Sequence, residues 1–171
     1  MKRCKILPVT ALAAFILPGC SAPARNAARP PAIPEELETT AEFSAQGRQY
    51  SADLRRSATG LWECVLTAPE TVAGLTYKLE DSSVTLSFED LEFTVDRSDL
   101  PEYGPVKMLT ESIDMLITSK DLTCTEEDGV LHEKAIISGL DLSAELSGGE
   151  LTHIEVEGCF AADIGQKNTP E

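Results

Sequence analysis

From about residue 40 onward, apolar and polar side chains alternate along this chain. Phe43 and Ala45 share a side, and Tyr50, Ala52 and Leu54 alternate with Ser51, Asp53 and Arg55. Trp62, Cys64, Leu66 and Ala68 alternate with Glu63, Val65 and Thr67. The same period of two runs through residues 75–79, 84–88, 91–95, 130–138, 140–146 and 152–156, and residues 159–161 form a last short apolar run. Period two with one apolar side predicts half-buried strands. The separators carry turn chemistry: Gln46-Gly47, Thr59-Gly60, Asp81-Ser82-Ser83, Glu89-Asp90, Asp128-Gly129 and Gly148-Gly149. Short turns make sequence neighbours antiparallel neighbours, so a meander is expected.

One segment breaks the rhythm. Residues 105–118 place Val106, Leu109, Ile113, Leu116 and Ile117 on one helical face, with Lys107, Glu111 and Asp114 elsewhere, and Pro105 suits a first helical turn. Glu35 to Glu38 reads as a weaker helical turn after Pro34. The expected fold is mainly β, α+β in class. It is one large, twisted antiparallel sheet of about ten or eleven strands, with the 105–118 helix over one face. A two-sheet sandwich is the alternative, and it would not need a long amphipathic helix in mid-chain.

The first twenty residues follow another pattern. Lys2, Arg3 and Lys5 precede an apolar run over residues 6–17. That run is shorter than the roughly twenty residues of a membrane-spanning helix, so it reads as a secretory leader. It ends in Leu17-Pro18-Gly19-Cys20, which resembles the bacterial lipobox. The resemblance implies cleavage before Cys20, diacylglycerol and acyl chains (palmitate) on Cys20, and a location on the outer face of the bacterial cell membrane. No other cofactor is expected. Residues 21–34 are rich in Ala and Pro and read as an extended tether. The expected divisions are a signal peptide at 1–19, lipidated Cys20 and tether at 20–39, a β domain at 40–164 and a disordered tail at 165–171.

Charge then narrows the partners. The 171 residues carry a formal net charge of −15, with 29 acids against 14 Lys and Arg. Loss of the leader takes Lys2, Arg3 and Lys5 with it and moves the balance to −18. So acidic a chain argues against nucleic acid as a partner and allows a basic protein partner on the polar sheet face. Catalytic and metal patterns are missing: there is no GxSxG, GxGxxG, P-loop, HExxH or EF-hand order. His132 and His153 read as surface strand residues beside acids, and no enzyme or metal site is expected. Beyond the anchor stand Cys64, Cys124 and Cys159. Outside the cytoplasm disulfides form, and Cys124–Cys159 is the preferred pair; three small buried thiols are the alternative.

Ala68-Pro69-Glu70-Thr71-Val72-Ala73-Gly74-Leu75, the hairpin VTLSFEDLEF at 84–93, and Gly148-Gly149-Glu150-Leu151 before an alternating strand together resemble the lipoprotein-carrier superfamily, which includes LolA and LolB. In particular the chain looks like uncharacterised lipoproteins of this type from Gram-positive anaerobes. The resemblance implies a half-barrel whose concave face, covered by the helix, holds a lipid, a lipoprotein or another apolar ligand. Its groove would be lined by Tyr50, Leu54, Trp62, Leu66, Leu75, Tyr77, Leu86, Phe88, Phe93, Leu109, Ile113, Leu116 and Leu142. The alternative is a filled core and a non-enzymatic protein-interaction or envelope-sensing role.

Overall fold

The computed structural model describes residues 33–165. The expected leader, the expected lipidation site Cys20, most of the expected tether and residues 166–171 lie outside the described residues.

The alternating segments form eleven strands of one open, curved antiparallel sheet. They are β1 Leu37–Ala45, β2 Arg48–Arg56, β3 Trp62–Ala68, β4 Thr76–Leu79, β5 Ser83–Phe88, β6 Leu91–Asp96, β7 Thr123–Glu127, β8 Val130–Ile137, β9 Leu140–Ser147, β10 Glu150–Val156 and β11 Phe160–Ile164. The helix α1 is Pro105–Thr118, the span its periodicity predicts, with Pro105 in its first turn.

The spatial order is β6-β5-β4-β3-β2-β1-β11-β10-β9-β8-β7. The fold is therefore two meanders joined by one long-range seam, in which Ala41 to Ala45 pair with Ile164 to Phe160. α1 connects β6 to β7, the two outermost strands, and has to cross the concave face to do so. It packs chiefly on β8 and β11.

Two local expectations change. No helical turn forms at 35–38: β1 begins at Leu37, whose pairing with Arg56, and Glu38's with Arg55, outweighs a lone turn that has few bonds to hold it. The final strand starts one residue later than its apolar run and extends to Ile164, which places Phe160, Ala162 and Ile164 in the core.

The core lies between α1 and the concave face. Val106, Met108, Leu109 and Ile113 of the helix are at most 2% exposed, as are Leu54, Trp62, Cys64, Leu79, Leu142 and Ile154 of the sheet. A polar group fixes the helix there. Arg56 Nε donates to Asp114 Oδ1 at 2.8 Å, and Trp62 Nε1 donates to the same oxygen at 3.1 Å. The Arg56 guanidinium lies 5.9 Å over the Trp62 ring. Arg97 adds contacts of 3.6 Å to Glu111 and 4.0 Å to Asp114.

Candidate functional site

The helix leaves the β4–β6 end of the sheet to other cover. After β3 the chain makes a 3₁₀ turn at Glu70–Val72 and returns through Gly74, whose φ of +90° suits glycine. Leu66 N–H donates to Leu75 O at 2.9 Å, and Gly74 N–H to Leu66 O at 2.8 Å, which pins this excursion to β3. It faces the tip of the β5–β6 hairpin across an apolar cleft of about 250 Å³. The lining is Thr71, Val72, Leu75, Phe88, Leu91 and Phe93. Leu91 is 71% exposed and Phe93 57%.

This placement redistributes the thirteen expected groove residues. Leu54, Trp62, Leu66, Leu109, Ile113, Leu116 and Leu142 are no more than 5% exposed and belong to the core. Tyr50, Tyr77 and Leu86 are half-buried against it. Only Leu75, Phe88 and Phe93 line an open apolar space. The open apolar space thus lies at the first meander's edge, while the helix side chains fill the centre under α1. Thr71, Val72 and Leu91 are the lining residues that were not among the expected groove residues. The signal for Val72 was the short apolar pair beside the Pro69 turn; for Leu91 it was a place next to a hairpin turn.

The outer face carries a second, more polar hollow of about 570 Å³, bordered by Glu38, Thr40, Asp53, Arg55, Glu63 and Val65. Arg55 stands between Glu38 and Glu63 in the cross-strand rows, so its charge already faces acids of the chain itself. The histidines stand in one row with acids: Asp163, His153, Glu145 and His132 are register partners across β11 to β8. His153 Nδ1 is 2.8 Å from Asp163 Oδ1, and His132 Nδ1 is 3.7 Å from Glu145 Oε1. Among the described residues no group of three or more His, Cys, Asp or Glu could hold a metal ion. Among them, too, no helix is long and apolar enough to cross a membrane.

The cysteine pairing needs correction. Cys124 lies on the outermost strand β7, and Cys159 in the turn between β10 and β11, three strands away. At roughly 4.8 Å per strand the gap is about 14 Å, whereas a disulfide spans about 7 Å at most between Cα atoms. Cys64 is a free thiol at 0% exposure. Burial, with Asp53 adding, pushes its pKa up to about 12. Burial also raises Tyr77, with Cys64 and Tyr50 contributing.

No protein-family model matches the chain. No curated protein matches it either. Among solved structures it is similar to the LolA superfamily protein NE2245 from Nitrosomonas europaea, at 9% identity, over 81% of this chain and 89% of that one, with a TM-score of 0.37. The half-barrel architecture itself stands on the strand order and pairing described above.

Proposed function

We propose that this chain is a lipid-anchored protein of the bacterial cell surface whose half-barrel holds an apolar molecule, a lipid or another, in the cleft at the β5–β6 edge. It has no catalytic role of its own in this reading. The observation that carries it is the cleft: an apolar space open to solvent, with Leu91 and Phe93 exposed beside it. Soluble proteins leave large apolar side chains clustered at the surface mainly where something binds. The volume of about 250 Å³ falls just under the roughly 300–1,000 Å³ of drug-sized sites, so a single aliphatic chain or apolar side chain fits better than a bulky ligand. The leader and lipobox-like Leu17 to Cys20 support the anchor, and the tether would hold the cleft clear of the bilayer.

The test is binding of a fluorescent fatty acid, as a probe of the cleft, to the full-length chain. Micromolar binding is expected, and Phe93→Glu is expected to weaken it at least tenfold, since a buried carboxylate without a partner is strongly disfavoured. Phe93 is exposed, so the variant should keep its fold. Absence of binding, or binding unchanged in Phe93→Glu, would sink the reading.

A further inference from the structure

The two edges of this sheet are protected differently. β7 at one end carries Cys124 and Glu126 on the side that faces the core and Glu127 on the other, and all five of its residues are exposed. A charge on the core side of an edge strand blocks further pairing. β6 at the opposite end has no such guard. Its core-side residues are Leu91, Phe93 and Val95, and its outer-side residues are Glu92, Thr94 and Asp96. No described strand lies beyond β6. In an antiparallel pair every second residue points its N–H and C=O away from its partner. β6 therefore offers an open row of backbone groups directly beside the apolar cleft.

Self-pairing is disfavoured at this edge. Two copies of β6 laid antiparallel about Thr94 would set Glu92 of each against Asp96 of the other, and like charges directly opposite destabilise a strand pair. The same acids favour a strand of opposite charge, and Glu89, Asp90 and Asp99 extend the negative border.

We infer that β6 is a strand-acceptor edge: it pairs with an extended segment of a partner protein in which apolar and basic residues alternate. The apolar side chains continue the concave face past Phe93, and one of them enters the cleft. The basic side chains stand beside Glu92 and Asp96. Main-chain hydrogen bonds give the affinity, and the cleft and acids give the selection. This rests on the cleft being an apolar site and names its ligand class: a protein strand in place of a free lipid.

The experiment uses the full-length chain and three synthetic octapeptides. One alternates leucine with lysine, one alternates leucine with glutamate, and one is the lysine peptide with every second amide N-methylated. Hydrogen exchange read residue by residue locates any contact, and displacement of the fluorescent fatty acid reports on the cleft. The expected result is that only the unmodified lysine peptide protects β6 amides and displaces the probe, while β7, equally exposed and acidic, stays unprotected. The Glu92→Lys, Asp96→Lys double variant should bind that peptide about tenfold more weakly, because two opposite-charge cross-strand pairs become like-charge ones. Equal protection at β7, or equal binding of the N-methylated peptide, would overturn the inference. So would β6 amides already protected in the full chain but released on deletion of residues 20–32, since the chain's own segment would then be the occupant. Fatty-acid binding without any peptide protection removes the strand-acceptor role and leaves the apolar site standing; loss of both removes the site itself.

Discussion

Cys64 shows what the structure adds to a residue that sequence could only place on a strand. Its position between Trp62 and Leu66 put it on the apolar side, and that reading holds: it is 0% exposed. What could not be read was its neighbourhood, because Tyr77 stands opposite it in β4 and Leu54 in β2 through pairings that the sequence does not spell out. Its thiol keeps its proton up to about 12 in the folded chain, while the ordinary value is 9.0. An unfolded chain therefore loses this proton first as pH rises. Between about pH 9 and 12 the unfolded state binds fewer protons, so this group costs stability at up to about 1.4 kcal/mol per pH unit. Below pH 9 it contributes no slope. Urea midpoints measured from pH 8 to 11 should fall more steeply in the native chain than in Cys64→Ala. Parallel curves would show that the thiol is not held protonated.

At the scale of elements, α1 was the most legible part. Its apolar positions recur at helical spacing, which depends only on neighbours in sequence, and Pro105 marks its start. The partner of its polar face was not legible. Asp114 read only as a position off the apolar face of the helix; in the fold it accepts from both Arg56 on β2 and Trp62 on β3, with Arg56 only 7% exposed. An arginine on the core side of a strand breaks period two, and that break was the one hint that a carboxylate would meet it. Removal of that carboxylate leaves a buried guanidinium without its counter-charge, which is far more costly than loss of a surface ion pair. Asp114→Ala should lower unfolding free energy by about 3 kcal/mol in urea titrations. Arg56→Met, Asp114→Leu should be the milder change, because it replaces the pair by apolar side chains. If the single variant costs under about 0.5 kcal/mol, the level of an exposed substitution, the pair does not hold the helix. The β6 strand illustrates the converse limit. Its period two was correct, yet Leu91 and Phe93 are exposed, since burial depends on whether another strand or helix lies alongside.

For the whole molecule, the single large antiparallel sheet that the sequence predicts is built as two meanders joined by the β1–β11 seam, which the sequence did not announce. Hairpins are local and announce themselves by their turns; a pairing between residues more than a hundred positions apart has no local signature. This seam decides whether the sheet behaves as one unit. Five register pairs hold it, and Ala162 sits at its centre between Phe43 and Ile154, 2% exposed. α1 ties the same two halves across the concave face, since its core contacts lie on β8 and β11 while Asp114 grips β2 and β3. The two halves should therefore unfold together. The single Trp, Trp62, reports on the first meander, and far-UV circular dichroism reports on all eleven strands. Their urea midpoints should coincide, as two-state behaviour demands. Ala162→Pro removes a backbone donor from a central strand and should cost about 1–3 kcal/mol, the penalty of leaving a buried hydrogen-bonding group unsatisfied. Its decisive feature is the shared shift: although Ala162 is in the last strand, the Trp62 midpoint should move as far as the circular dichroism midpoint. A variant that moves the dichroism and leaves Trp62 in place would mean that the first meander and its cleft fold independently of the seam.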